Sequence, residues 1–212
     1  MTLSTPLPTR SAAPLGIAPL GSATGSAPPA LRPDAVTVQQ TSGAALAAAL
    51  SARSSLWADR VEFRTESRWT SLLDLATAAD LLDPGLHAEL ATAQVWLLSW
   101  LPGQGTPLHD HGGSAGAFAV VAGELTERTV TRLSPVDAAD PAAGRLRDVT
   151  TTLTAGRVRP FGPHHVHQVT NAGRVPAVSV HVYTAGLAEM NTYAVTRTGL
   201  LRTGTERAGV DW

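Results

Sequence analysis

The sequence predicts a mainly β protein, a small β-barrel or double-sheet jelly roll preceded by a few helices. Two observations support this prediction. From about residue 93, short apolar or alternating runs recur with turn residues between them, which is typical of antiparallel sheets. Before that point, runs rich in Ala and Leu indicate helices. We therefore expect a helical part at about 34–92 and a barrel at about 93–200, within a single domain of residues 34–212.

The helical part contains two predicted helices. One covers about 43–53 with Ser42 as its N-cap, and the other covers 72–90 with a break at 83–85. The predicted strands are 94–101, 115–121, 125–133, 148–153, 166–169 and 175–183. Upstream, residues 1–33 contain seven of the fifteen prolines. Such a segment buries too little apolar surface to offset its ordering entropy, so we expect a disordered tail.

Composition excludes several classes of protein. A chain of 212 residues suits one core of ordinary size. All sixteen basic residues are arginines and they are scattered, so we expect no nucleic-acid partner. The chain has no cysteine, which excludes disulfides, a thiolate metal site and a cysteine nucleophile. Since we find neither a signal-peptide pattern nor an apolar run that could span a membrane, we expect no membrane association and a cytoplasmic location.

Six of the seven histidines fall in three short stretches, at 109–111, at 164–167 and at His181. Neutral imidazoles from separate strands can hold a divalent ion of iron, nickel, copper or zinc. Alternate side chains of a strand share one face, so His109 and His111 would both point into the barrel and Asp110 would face away. Either cluster by itself is also compatible with a surface pair or a turn.

The same alternation places further polar side chains inside the predicted barrel. His165 and His167 would share a face, and so would residues 179, 181 and 183 of a later strand. A buried polar group without a partner costs about 1–3 kcal/mol, and a shared metal with a small polar substrate would satisfy these groups together. The residues thus predict a metal site, while the identity of the metal stays open.

The segment 103–123 fits the first cupin motif, with Gly103 and Gly123 at its ends and the His109-Asp-His111 pair between them. Gly116 stands where many cupins have a glutamate ligand. The second motif ends in a histidine followed four places later by asparagine, as His167 and Asn171 do. This spacing favours 167 over 165 as the third ligand. A cupin with three histidines and no glutamate resembles the thiol dioxygenases.

Four segments in order across about 94–185 resemble the cysteine dioxygenase type I family. They are Trp100-Leu-Pro-Gly-Gln104, Pro107-Leu-His-Asp-His-Gly-Gly-Ser114, Gly123-Glu-Leu-Thr-Glu127 and Pro176-Ala-Val-Ser-Val-His-Val-Tyr183. The resemblance implies a cupin barrel that holds Fe(II) and adds both atoms of O2 to a thiolate sulfur, giving a sulfinate. Its implied substrate is L-cysteine or a close thiol.

The resemblance also implies roles for individual residues. The implied iron ligands are His109, His111 and His167. The implied hydrogen-bonded row beside substrate and oxygen is Ser179, His181 and Tyr183. Interactions of this kind orient metal ligands and tune the metal. Besides the small thiol and O2 we expect no other partner, and we expect a monomer or a small homo-oligomer.

Two departures from the family affect these expectations. Mammalian members crosslink the tyrosine to a cysteine, whose place Gly116 takes here, so Tyr183 should be unmodified. The family's carboxylate-binding arginine aligns with Ser71, which leaves Arg68, or else Arg64, to reach the substrate from a displaced position. A surface salt bridge is the alternative for Arg68. The alternative functions are a dioxygenase of another small thiol such as 3-mercaptopropionate, and a non-redox metal-binding cupin (an isomerase or a ligand sensor).

Overall fold

A computed structural model of the protein describes residues 35–132, 146–197 and 199–208, with side chains from residue 42 onwards. The predicted tail at 1–33 lies outside the described residues. The α-helices are α1 Ala35–Ala52, α2 Leu75–Asp80 and α3 His87–Leu90. The strands are β1 Trp69–Leu73, β2 Ala93–Trp100, β3 Ala115–Ala122, β4 Glu124–Arg132, β5 Leu146–Thr154, β6 Val158–Phe161, β7 His167–Thr170, β8 Ala177–Thr184, β9 Glu189–Thr196 and β10 Gly199–Arg207.

The strands pair antiparallel throughout the described residues and form two sheets and a hairpin. The larger sheet has the order β1-β2-β8-β3-β6, and the smaller one has the order β5-β4-β7. Strands β9 and β10 form the hairpin. The mainly β prediction is therefore confirmed. The hydrogen bonds of the described residues define separate sheets rather than one closed barrel.

Alternation along the central strands divides the interior into two apolar layers. On β8, Val180 and Val182 pack with the helices, whereas Tyr183 packs in the layer between the larger sheet and strands β4, β5 and β7. Strands β2 and β3 alternate in the same way. Because the side-chain period of a strand is two, this register gives β8 one apolar face and one face that carries Ser179 and His181.

Helix α1 packs across β3 and β8, and it begins earlier than the sequence predicts. It starts at Ala35, so Ser42 lies inside the helix and is not its N-cap. The backbones of Gly43 and Gly116 approach so closely that a Cβ on Gly43 would lie 3.1 Å from Gly116. Packing on the sheet thus outweighs the cost, about 1 kcal/mol or less per residue, of Ser and Gly in a helix interior.

The predicted helix at 72–90 is divided between several elements. Its first residues belong to β1, which pairs with β2 and buries Trp69 and Leu73. Asp74 then caps α2 by accepting a hydrogen bond from the Thr77 amide at 2.8 Å. A 3-10 turn at Pro84–Leu86 separates α2 from α3, where the sequence predicts the break.

The six predicted strands agree with the structure to within a few residues, but β1, β6, β9 and β10 are missing from the prediction. Strand β6 contains Pro160, which is tolerated because β6 lies at the edge of its sheet. Strands β9 and β10 are largely polar, so they lack the apolar pattern by which the other strands are predicted. Their pairing with each other shows them to be strands. Among the described helices, none has the length and hydropathy that a membrane span requires.

Candidate metal centre

His109 and His167 lie opposite each other in a short antiparallel bridge. The His109 amide donates to the His167 carbonyl at 2.8 Å, and the His167 amide donates to the His109 carbonyl at 2.9 Å. His167 begins β7, whereas 109 and 111 lie in the loop between β2 and β3, so the strand alternation expected for this pair is not that of a regular strand. His109 and His167 are 58 positions apart in the sequence, and this backbone bridge is what brings them together.

Asp110 anchors this loop to the β9–β10 hairpin. Its carboxylate accepts hydrogen bonds from the Gly112 amide at 2.9 Å, from the Asn191 side chain at 3.0 Å and from the Tyr193 hydroxyl at 2.7 Å. Gly112 has φ 57°, a left-handed conformation that allows the chain to turn directly after His111. Asp110 thus faces away from its two histidine neighbours, as predicted, and holds both of them in place.

The structure brings His109, His111 and His167 together. One nitrogen of each ring lies within 4.8 Å of one nitrogen of each of the other two rings. All three side chains are buried, with at most 4% exposure. Burial lowers the pKa of His109 to about 3, helped by the neighbouring His167, and it also lowers the pKa values of His111 and His167. The rings are therefore neutral at pH 7, as metal ligands must be.

Hydrogen bonds select the tautomer of two of these rings. His109 Nδ1 lies 2.9 Å from the Pro107 carbonyl, and His167 Nδ1 lies 2.8 Å from Glu127 Oε1. A carbonyl and a carboxylate accept only, so each Nδ1 carries the proton and each Nε2 keeps its lone pair. Two directed lone pairs and a third buried imidazole fit a divalent transition metal.

Glu127 is a member of the site that the sequence reasoning missed. Glu127 follows Leu125 by two residues on β4, so the two side chains share the buried face of the strand, and Glu127 is 1% exposed. Its carboxylate also accepts from His165 Nε2 at 2.9 Å. His165, expected to be a bystander, therefore contacts the site through Glu127, whereas His164 is exposed. The one available signal is the membership of Glu127 in the family-like segment 123–127.

The row on β8 faces the same interior. Trp100 Nε1 donates to Ser179 Oγ at 2.9 Å, and Ser179 Oγ lies 2.9 Å from His181 Nε2. An indole N–H can only donate, so Ser179 Oγ accepts from Trp100. The serine hydroxyl is then free to donate its own hydrogen bond to His181 Nε2. The Tyr183 ring lies 5.2 Å from that of His111, and burial raises the pKa of its phenol. The tyrosine is thus a neutral hydroxyl at pH 7.

A cavity that is partly open to solvent adjoins the histidines. Its described walls are Arg68, Thr70, Trp96, Leu98, Trp100, Thr106, His109, His167, Val169, His181, Tyr183 and Met190. Most of these side chains are apolar or aromatic, and none is a carboxylate. The largely apolar walls and the single guanidinium among them suit a small anionic ligand.

Arg68 lies at the boundary between this cavity and an outer groove. Its guanidinium carbon is 5.7 Å from the centre of the Trp100 ring, and Nη1 donates to the Gly105 carbonyl at 3.4 Å. Burial lowers its pKa, and its Nε has no hydrogen-bond partner among the described residues. Arg64, by contrast, pairs with Glu62 at 2.8 Å and lines the outer groove. Of the two expected arginines, Arg68 is the one in the cavity wall.

Gly116 lies directly opposite Tyr183 in the pairing of β3 with β8. A Cβ at this position would collide with the Val182 carbonyl oxygen and lie 3.0 Å from Phe161 Cζ. Phe161 in turn stacks on the His111 ring at 4.5 Å. The space beside Tyr183 is therefore filled by Phe161, and the backbone leaves no room for a larger residue at 116.

Comparison with known proteins gives distant structural likenesses. An oxalate oxidase in complex with glycolate is 16% identical over 60% of this chain, with a TM-score of 0.42, and the chain spans 55% of its length. A protein from Klebsiella pneumoniae subsp. pneumoniae with a double-stranded β-helix domain is 18% identical over 69% of this chain and 93% of its own, with a TM-score of 0.41. A protein from Thermus thermophilus is 19% identical over 60% of this chain and 92% of its own, with a TM-score of 0.40.

No curated protein matches the chain. The family model of cysteine dioxygenase type I, however, matches residues 35–196. This range includes α1, the histidine loop, Glu127 and the row on β8, which is most of the part that the structure describes. The resemblance inferred from four short segments is thereby confirmed, and the chain belongs to the cysteine dioxygenase type I family.

Proposed function

We propose that the protein is a mononuclear non-haem Fe(II) dioxygenase that converts L-cysteine and O2 into cysteine sulfinate. In this reaction the thiol sulfur gains both oxygen atoms, its proton is released, and O2 takes up the four electrons that the sulfur loses. The observation that supports the proposal best is the set of three buried, neutral imidazoles beside a cavity with one guanidinium. Membership of the family supports iron as the metal.

The proposed ligands are His109, His111 and His167. Bound Fe(II) would supply the redox chemistry and lower the pKa of the substrate thiol. The protein supplies the geometry: the loop after β2 and the start of β7 hold the imidazoles of His109 and His167 in fixed tautomers. Because the ligands are neutral, the double positive charge of the ion stays uncompensated by the three rings, which favours an anionic thiolate in the cavity.

We assign the remaining side chains by their place in the cavity. Arg68 would bind the substrate carboxylate, since a planar guanidinium matches it with two hydrogen bonds. Tyr183 would donate its hydroxyl proton to a polar atom of the bound substrate or oxygen. Ser179 and Trp100 would hold the His181 ring in one orientation beside it. Apolar walls such as Leu98 and Met190 would keep bulk water away from the reacting sulfur.

One observation favours a second candidate, 3-mercaptopropionate. The described cavity walls contain no acidic side chain that could pair with the ammonium group of cysteine. A thiol with a carboxylate and no amine would leave no charge unpaired there. We also keep two expectations from the sequence, a cytoplasmic location and a monomer or small homo-oligomer.

Oxygen uptake tests the proposal. Protein loaded with Fe(II) should consume one O2 per thiol and release sulfinate, which is measured with an oxygen electrode and by mass spectrometry with L-cysteine, 3-mercaptopropionate and cysteamine. The ratio of kcat/KM values identifies the preferred thiol. His167→Ala should lose bound iron and activity, whereas the exposed-site variant His87→Gln should keep both. Bound iron without sulfinate from any thiol would overturn the proposal in favour of a non-redox cupin.

A further inference from the structure

The proposed function does not account for the buried carboxylate of Glu127. It lies on β4 and accepts three hydrogen bonds, from His165 Nε2 at 2.9 Å, from His167 Nδ1 at 2.8 Å and from Arg159 Nε at 2.6 Å. Both histidines share Oε1, while the arginine contacts Oε2. A buried carboxylate is costly unless such partners surround it, so its position needs a reason.

A link between the two sheets is one reason, since Arg159 belongs to β6 of the larger sheet and Glu127 to the smaller one. This link between the sheets needs only the bond from Arg159 to Oε2. It does not explain why the imidazoles of His165 and His167 both bind Oε1. A guanidinium contacts Oε2 and two imidazole nitrogens contact Oε1, so the carboxylate is surrounded by donors and accepts hydrogen bonds as an anion.

The consequence for His167 follows from this arrangement. An anionic acceptor keeps the proton on His167 Nδ1 and leaves the lone pair on Nε2, the nitrogen that is then available to a metal shared with the other two imidazoles. The second bond, from His165, holds Oε1 in place so that the carboxylate does not rotate away. His109 has a neutral carbonyl in the equivalent position, and His111 Nδ1 has no partner among the described residues. Among the described residues, the Nδ1 atom of His167 thus has a charged acceptor, that of His109 a neutral one, and that of His111 none.

We propose that Glu127 is a positioning residue that, steadied by His165 and Arg159, orients His167 and increases the electron donation of its Nε2 to a bound divalent metal. A carboxylate behind a histidine ligand raises its basicity, and removing such a partner typically weakens metal binding about 10- to 100-fold. The inference rests on the metal-binding part of the proposed function and is independent of the thiol chemistry.

Metal titration of the full-length protein tests this inference. Metal-free wild type, Glu127→Gln and a control are titrated with Co(II), and the dissociation constant is measured by chelator competition together with the visible absorption of the bound ion. The control is Asp148→Asn, which removes a carboxylate from the exposed Arg128–Asp148 pair on the neighbouring strand β5. We expect Glu127→Gln to bind Co(II) about 10- to 100-fold more weakly and with a shifted spectrum. The control should bind as the wild type does.

A second measurement distinguishes orientation of the ring from general damage to the fold. In the metal-free wild type, the ¹H–¹⁵N spectrum of the histidine side chains should show His167 protonated at Nδ1. In Glu127→Gln it should show a mixture of the two tautomers. His165→Ala, which leaves both Glu127 and His167 in place, provides a milder variant and should weaken Co(II) binding less than Glu127→Gln does.

The possible results of these experiments bear on the role of Glu127 and on the proposed function separately. Unchanged Co(II) affinity and an unchanged His167 tautomer in Glu127→Gln would overturn the inference and leave the proposed function standing. If Glu127→Gln does not fold, unchanged affinity in His165→Ala together with a His167 that is not protonated at Nδ1 in the wild type would overturn it. A wild type that binds neither Co(II) nor Fe(II) would overturn the inference and the proposed function together.

Discussion

Three histidines within four positions have different environments, and hydrogen bonds rather than sequence position account for the difference. His164 is exposed, His165 donates to Glu127, and His167 is buried, bonded to Glu127 through Nδ1 and grouped with the rings of 109 and 111. The spacing to Asn171 predicts 167 as the third ligand, and the structure groups His167, not His165, with 109 and 111. That asparagine is itself structural, since its side chain donates to the Trp100 and Val175 carbonyls at 2.9 Å.

Arg68 gives a prediction at the scale of one residue. Arg68→Gln should raise KM for L-cysteine and 3-mercaptopropionate roughly 10- to 100-fold, because hydrogen bonds to a charged group contribute about 1.5–3 kcal/mol. KM for cysteamine, which has no carboxylate, should hardly change. Steady-state oxygen uptake with the three thiols measures the effect.

The control for Arg68→Gln is Arg64→Gln. Arg64 lies in the outer groove and pairs with Glu62, so its loss should leave all three KM values as they are. An equal rise for cysteamine in Arg68→Gln would mean that the arginine shapes the cavity without binding the carboxylate.

At the scale of elements, strand β3 is confined on two sides. Helix α1 crosses it at Gly43, and β8 pairs along it so closely that Gly116 has no room for a side chain. The contact explains why a helix that contains Ser42 and Gly43 persists through both residues. Strand β3 lies between β8 and β6 in the sheet. Its pairing with both strands places the Tyr183 ring beside the Phe161 ring, next to the histidine site.

This confinement predicts the effect of one added methyl group. Gly116→Ala should destabilise the protein by roughly 1–3 kcal/mol, as overpacking of a filled interior does. Gly85→Ala is the matched control, since nothing lies within 4 Å of the place of its Cβ, and it should stay within about 0.5 kcal/mol of the wild type. Urea unfolding measures both. Equal stability of the two variants would contradict the close approach of β3 and β8.

For the molecule as a whole, the site joins parts that are far apart in sequence. The loop after β2 is anchored to the β9–β10 hairpin by Asp110 and to β7 by His109, while β8 of the larger sheet provides His181 and Tyr183. Four imidazoles with lowered pKa values thus lie in one interior, and they should make the stability of the metal-free protein depend on pH.

The sign of this dependence follows from burial. The histidines at 109, 111, 167 and 181 have folded-state pKa values below the value of about 6.5 of an unfolded chain, so below that pH the unfolded state binds protons that the folded state does not. Stability should fall from pH 7.5 to 5.5, by up to roughly 1 kcal/mol per buried histidine for each pH unit below 6.5. The lowered pKa of Glu127 acts only at more acidic pH.

Urea unfolding of the EDTA-treated protein at pH 7.5, 6.5 and 5.5 measures this dependence. The exposed His87 supplies the control, because His87→Gln should leave the slope unchanged. A stability that is the same at all three pH values would contradict the buried, neutral imidazoles.

The sequence by itself determined the mainly β class, most strands of the interior, the His109-Asp-His111 and His167 spacing and the family. Those features depend on local periodicity and on short motifs, which can be read along the chain. The tertiary structure decided what depends on strand pairing between distant segments: the loop conformation of 109 and 111, the place of Arg68 in the cavity wall and the inward direction of Glu127. Sequence order alone does not show which groups face Glu127, because its hydrogen-bond partner His167 lies on β7, a strand that pairs with β4 from a distant part of the chain.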